Sequence, residues 1–291
     1  MEIKTRQALS ALKWSIATAA FLTLLKLLTG FFTHSMAVLA SALDSAMDVA
    51  ASVVNLLAAR EAAKPPDENH AYGHGKIESL ASLFQSAFIG VSGLFIFYEA
   101  VKRLIQGASL SVIPLGIGVM FFSMFLTWLL TLKLKAAAKQ SGSLILATEK
   151  LHFTMDLLTN GGAIAALLLV KATGIVFFDL LVSILISLYI LKTSLKIFPS
   201  AVDELLDRSL PPVSKEEIEE IIRNHHPSIV DLHNFRSRRV RDKIFLDFHI
   251  EIRGEDDFKK AHLMTESLIS RIEERYPGAD VTVHFDPEGE A

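Results

Sequence analysis

Apolar residues dominate six stretches of this 291-residue chain, near 15–32, 36–59, 78–105, 111–132, 143–170 and 175–198. Each meets the roughly 17–25 residues that an α-helix needs to cross a bilayer, which predicts six transmembrane helices. No small-residue cleavage site follows the first run, so it is read as a retained helix. After Pro211-Pro212 the pattern changes. Ile244, Leu246, Phe248, Ile250 and Ile252 alternate with polar residues, as do Val281, Val283 and Phe285, the period of half-buried strands. A helix fits 257–275, stopped by Tyr276-Pro277-Gly278. Ser214 opens a capping-box-like Ser-Lys-Glu-Glu, predicting a helix through about 224. With a strand near 229–240 the order is αββαβ, a small two-layer α+β domain. The expected division is 1–209 for the transmembrane domain and 210–291 for the second. The latter has roughly 80 residues, few enough that pairing with a second copy would stabilise it.

Composition agrees: 51% of residues are hydrophobic and mean hydropathy is +0.39. A net charge of −3 gives no reason to invoke nucleic acid, and zero cysteines exclude disulfides and thiolate metal sites. Lys4, Arg6 and Lys13 precede the first run, Arg60, Lys64 and Lys76 flank the second loop, and Lys133, Lys135 and Lys139 occupy the fourth. The opposite loops offer mainly Lys102, Arg103 and Lys171. The positive-inside rule therefore puts both termini, and the C-terminal domain, in the cytoplasm.

Against this apolar background Asp44 and Asp48 form one i, i+4 pair, and His152 and Asp156 another. On helices, each pair projects from one face. A charged side chain at bilayer depth costs roughly 2.5–3.5 kcal/mol, so three carboxylates and an imidazole read as an ion pathway. Ser41, Ser45, Ser52 and Asn55 extend the first pair into a polar stripe, while Thr148 and Asn160 extend the second. Lys26, in the first run, is read as snorkelling and receives no transport role. Between the second and third runs, Asp67, His70 and His74 lie in a Pro- and Gly-rich loop able to turn them around one ion. In the C-terminal domain, His249 is on the polar face of the middle strand and His284 and Asp286 on that of the last. His233 precedes an arginine-rich segment, and His262 lies early in the second helix. Singly these are ordinary surface groups; together they suit zinc.

The segments Ser-Ala-Leu-Asp44-Ser-Ala-Met-Asp48, His70-Ala-Tyr-Gly-His74-Gly-Lys-Ile-Glu-Ser and His152-Phe-Thr-Met-Asp156-Leu-Leu-Thr-Asn resemble the cation diffusion facilitator family, in particular its bacterial zinc/iron-type exporters. The likeness extends over nearly the whole chain, through the final Val-His284-Phe-Asp286-Pro. It implies a homodimer in the cytoplasmic (inner) membrane that exports a divalent metal in exchange for protons. Six helices would be followed by a ferredoxin-like, metallochaperone-like cytoplasmic domain. By motif, Asp44, Asp48, His152 and Asp156 would form the transport site and Asp67, His70 and His74 a loop site. His233, His249, His262, His284 and Asp286 would form the cytoplasmic sites. Lys76 and Asp207 match positions that interlock near the dimer junction.

Metal binds deprotonated carboxylates and neutral imidazole, so protons compete for the same groups and antiport needs no ATP. One imidazole with three carboxylates suits zinc first. Cadmium, iron(II) and manganese(II) are the other candidates. Two competing classes are a non-transporting metal receptor and an intramembrane metal-dependent enzyme; the chain has no His-Glu-x-x-His and no nucleophile constellation beside the acids.

Overall fold

The structure, a computed structural model, describes residues 2–33, 36–106, 117–173, 177–253 and 258–289. His34 and the start of the expected fourth span, 111–116, fall outside them. Six long helices come first: α1 (Glu2–Thr33), α2 (Met36–Ala62), α3 (Lys76–Gln106), α4 (Ile117–Ser141), α5 (Leu144–Thr173) and α6 (Phe177–Leu205). Among the described residues, stretches of α1, α2, α3, α4 and α6 are long and apolar enough to cross a membrane. The sixth long helix, α5, has 30 residues and carries His152 and Asp156. At about 1.5 Å per residue it is also long enough to span.

The chain divides into two compact units, residues 1–202 and 203–291. In the first, α1 packs on α2 and α4, and α5 contacts α2, α3 and α4. Large apolar side chains stay outside, among them Phe84, Phe88, Val91 and Phe95 along one stripe of α3, each more than 60% exposed. Such a surface is compatible with water only if lipid or protein covers it. Inside, contacts between helices depend on small residues. A Cβ on Gly93 would lie 2.9 Å from Ile190 Cγ2, so only glycine lets α3 approach α6 so closely. Ser194 Oγ donates to the Ser86 carbonyl at 2.6 Å across the same pair. Lys133 sits 3.8 Å above the Trp14 ring, a cation–π contact between α4 and α1.

The second unit contains α7 (Pro212–Arg223), β1 (Ile229–Val240), β2 (Lys243–Ile252), α8 (Phe258–Arg275) and β3 (Asp280–Pro287), the expected αββαβ order. The sheet order is β1-β2-β3, with β1/β2 antiparallel and β2/β3 parallel. Ile244, Leu246, Phe248, Ile250 and Ile252 are buried with Ile218, Ile222, Leu268 and Ile272 from the helices. That leaves Asp247, His249 and Glu251 on the opposite face of β2, as period two requires. The expected cap on α7 is corrected. Pro211 is the N-cap, without a side-chain hydrogen bond, and Pro212 is the first helical residue, so Ser214 lies inside the helix. Proline already has the fixed φ of a first turn and lacks the N–H that would go unpaired there.

Candidate metal centres

Asp48 on α2 meets His152 and Asp156 on α5. The His152 Nε2 atom is 2.9 Å from Asp48 Oδ1 and 3.8 Å from Asp156 Oδ2. One ligand atom from each of the three lies within 4.8 Å of the others. Ligands about 2.1 Å from a tetrahedral zinc stand about 3.4 Å apart, so small adjustments would admit an ion. His152 is buried, and the cluster opens on a cavity of about 880 Å³ that also reaches Ser41, Asn55 and Asn160. Asp44, one turn before Asp48, lines this cavity with an exposed side chain but is not part of the three-residue cluster. Three of the four expected transport ligands are thus brought together, and the fourth stands at the cavity wall.

On the C-terminal sheet the candidate ligands form rows. His233, His249 and His284 are register neighbours across β1, β2 and β3. Adjacent ring centroids are 5.2 and 4.7 Å apart. Asp286 gathers all three imidazoles: its Oδ2 is 3.1 Å from His249 Nδ1 and 3.4 Å from His233 Nε2, and its Oδ1 is 3.1 Å from His284 Nε2. His262 does not join them. It is exposed on α8, its ring parallel to Phe258 at 6.4 Å.

The loop residues also converge. Asp67 Oδ1 accepts hydrogen bonds from the backbone N–H of His70 at 2.7 Å and of Asn69 at 3.0 Å. These pin the carboxylate so that its oxygens face His70 Nδ1 and His74 Nε2, each at 3.3 Å. Gly73, with φ +83°, makes the turn that returns His74. His74 is buried, and its Nδ1 has no hydrogen-bond partner. The His70 N–H, above all, holds the Asp67 carboxyl below the usual carboxylate range. Asp67 therefore stays anionic as pH falls. Protons compete with a metal ion for the two imidazoles, so zinc held here is expected to bind more weakly as pH falls. Titrating zinc into the full-length protein, with and without His70→Ala, between pH 5 and 8 measures it; affinity that does not weaken toward pH 5, or that is indifferent to His70→Ala, would refute the loop as a metal site.

The chain matches the model of the cation efflux transmembrane domain over residues 12–206 and that of the cation efflux protein cytoplasmic domain over residues 210–288. The cation-efflux pump FieF of Salmonella schwarzengrund is 35% identical over 276 residues, 93% of this chain and 90% of that protein. That of Serratia proteamaculans is 35% identical over 278 residues, 96% and 92% of the two chains. A solved metal-bound C-terminal domain of the CzcD transporter from Thermotoga maritima is 27% identical, covering 28% of this chain and 99% of that one with a TM-score of 0.26. This chain belongs to the cation diffusion facilitator family. It is a cation efflux transporter and not an enzyme.

Two residues of this cation efflux protein stand beside the Asp48–His152–Asp156 cluster although the sequence pattern assigns them no part in it. Lys26 does not snorkel, contrary to expectation: it lines the cavity with Asp44, Asp48 and Asp156, and its ammonium donates to Ser45 Oγ at 2.7 Å. Inside the cavity that cation shares its surroundings with the three carboxylates, whose charge offsets part of the cost of burying it. Glu149, one turn before His152, is fully buried. Ser52 Oγ and Asn55 Nδ2 each donate to its carboxylate at 2.5 Å, and Gln85 Nε2 at 3.4 Å, while Asn55 also donates to Gln85 Oε1 at 2.9 Å. Three donors around one carboxylate tie α2, α3 and α5 together next to the cluster. The polar stripe of α2 points to Ser52 and Asn55; the acid they serve is the part it does not reveal. Asp207, with φ +55°, pairs with Arg238 at 3.2 Å within the second unit, whereas Lys76 is the first residue of α3 in the other.

Proposed function

We propose that this transporter exports zinc across the cytoplasmic membrane in exchange for protons. It would act as a homodimer with both termini in the cytoplasm. The observation that carries this reading is the Asp48–His152–Asp156 cluster, one nitrogen and two oxygen donors at the middle of two long apolar helices. Neutral imidazole and carboxylate are a zinc donor set, and the same three groups take up protons when the metal leaves. A site that opens alternately to each side would then return protons inward for each ion released outward. The excess of lysine and arginine in alternate loops supports the orientation. The short C-terminal domain, with its histidine-rich sheet face, fits a metal-stabilised dimer contact, and Lys76 with Asp207 a charge interlock near the junction.

Purified protein in liposomes containing a pH-sensitive dye tests the coupling. An imposed zinc gradient is expected to drive opposed proton flow that cadmium also supports. Zinc movement without proton movement would overturn antiport, and no movement of either would overturn transport by this site. Metal choice is tested separately. His152→Asp makes the cluster all-oxygen and is expected to raise manganese and iron(II) flux relative to zinc about tenfold, because harder cations favour oxygen. An unchanged ratio of zinc to manganese uptake would remove His152 as the selectivity ligand.

A further inference from the structure

The two helices that carry the Asp48–His152–Asp156 cluster meet again one turn away, toward the end of α2 that leads into the Asp67–His70–His74 loop. They run antiparallel here: Asp48 faces His152, and one turn on, Ser52 and Asn55 face Glu149, each donating to its carboxylate at 2.5 Å. Gln85 of α3 completes the set. Asn55 donates to both Glu149 and Gln85, and Gln85 donates to Glu149, so the three side chains close a ring. Ser52 and Glu149 are fully buried, whereas Asn55 and Gln85 also line the cavity. Beyond the ring, Leu12, Leu56, Ala59, Ile145 and Leu146 are buried together, which closes the cluster at this end. In the other direction the cavity reaches Ser41, two turns before Asp48, and Asn160, one turn after Asp156.

All three donors to Glu149 are uncharged. Apolar residues of similar volume would join the helices at lower cost than a buried acid, so packing alone does not account for it. What a carboxylate adds is a second set of partners. Hydrogen bonds to a charged acceptor are about twice as strong as neutral ones, and water supplies them as readily as Ser52, Asn55 and Gln85 do. The group is therefore satisfied when α2 and α5 are together and dry, and again when they are apart and wet. An apolar seam favours only the first arrangement.

We propose that Glu149 is a positioning residue for transport: with Ser52, Asn55 and Gln85 it latches α5 to α2 and α3, closes the loop side of the metal cluster, and parts each time the site turns to that side. The inference rests on the reading of the cluster as an alternating transport site. Glu149 does not ligate the ion, because it lies outside the cluster and both its oxygens are taken by donors. While the latch is closed, the ion exchanges through the cavity. When it opens, water enters between α2 and α5, replaces the three donors and gives the ion a path on the loop side.

The chain has no cysteine, so a single Ala59→Cys in the buried seam beyond the ring reports on opening. In this background, full-length protein in liposomes is labelled with a charged methanethiosulfonate applied to both membrane faces, beside zinc uptake; equilibrium zinc binding is measured in detergent. Glu149→Gln keeps the side-chain shape and removes one acceptor oxygen. It is expected to speed labelling by about tenfold or more, since one hydrogen bond to a charged group is worth about a decade of an equilibrium constant. Zinc affinity is expected to stay close to wild type, because no ligand is changed, while the maximal uptake rate falls. Adding Asn55→Asp moves the carboxylate to α2 and lets the amide on α5 donate to it, so slow labelling and uptake are expected to return. Unchanged labelling in Glu149→Gln and Ser52→Ala, in a protein that moves zinc, would overturn the latch alone. Faster labelling that Asn55→Asp does not reverse would also overturn it, by reducing Glu149 to a packing residue. Zinc flux absent from the wild-type protein would overturn the transport reading and the latch with it. Should Glu149→Gln fail to fold, Ser52→Ala, which removes one donor and little volume, decides by the same labelling rate.

Discussion

Asp48→Ala and Asp156→Ala are each expected to abolish metal flux while leaving a folded transporter. Each change removes one of the three donors that meet, among the described residues, at the proposed transport cluster, and the two that remain hold a divalent ion poorly against water. Replacing a group that only supports a ligand typically costs 10–100-fold in metal affinity, so loss of a direct ligand is expected to exceed a hundredfold. Folding is spared for a separate reason. Both carboxylates open on the cavity, with side chains 21% and 26% accessible, and alanine leaves neither a large void nor a stranded opposite charge there. Stopped-flow zinc uptake into liposomes, beside size-exclusion profiles and thermal melting in detergent, separates the two effects. Uptake at the wild-type rate in either well-folded variant would remove the cluster as the transport site.

Most of this cluster is legible in the sequence because helical geometry is local. An i, i+4 pair shares a helix face whatever surrounds it, so Asp48 on α2 and the His152/Asp156 pair on α5 can be read without knowing how the helices pack. The strand ligands are legible for the same reason: period two puts His249 with Glu251, and His284 with Asp286, on one sheet face. Their arrangement in rows is not, since it depends on register between strands, and parallel pairing of β2 with β3 brings His284 rather than His262 to the centre. The start of α7 misleads because a Ser-x-x-Glu pattern and a proline pair both announce a helix. The backbone follows the prolines. Glu149 escapes notice because it sits beside Lys150 near the start of an apolar run, a setting shared by interfacial charges. Only the approach of Ser52, Asn55 and Gln85 from two other helices gives its carboxylate a role. Lys26 misleads for a related reason. A single cation in an apolar helix can reach for the interface or turn inward, and rotation of α1 against α2, invisible in one sequence, decides between them.

That inward turn carries the second large expectation, Lys26→Met. The Lys26 ammonium and an incoming metal ion share one cavity and one set of carboxylates. Two unit charges on the order of 7 Å apart at an effective dielectric of about 20 interact by about 2 kcal/mol, and a divalent ion feels about twice that. The lysine thus offsets the negative charge of Asp44, Asp48 and Asp156 when no metal is bound and opposes the metal when it enters. Methionine has a similar length, fills the space apolarly and removes the charge. Zinc is therefore expected to bind at least tenfold more tightly in Lys26→Met, an energy of about 1.4 kcal/mol that is less than the repulsion removed. Turnover is expected to fall, because an ion held more tightly leaves more slowly, and release limits a carrier once binding is strong. Equilibrium zinc binding together with initial uptake rates at saturating zinc distinguishes this from damage to the fold, which would weaken binding and slow transport together. Unchanged affinity in a folded Lys26→Met protein would mean that the ammonium remains at Ser45 and away from the ion throughout the cycle, and that its place in the cavity wall is structural.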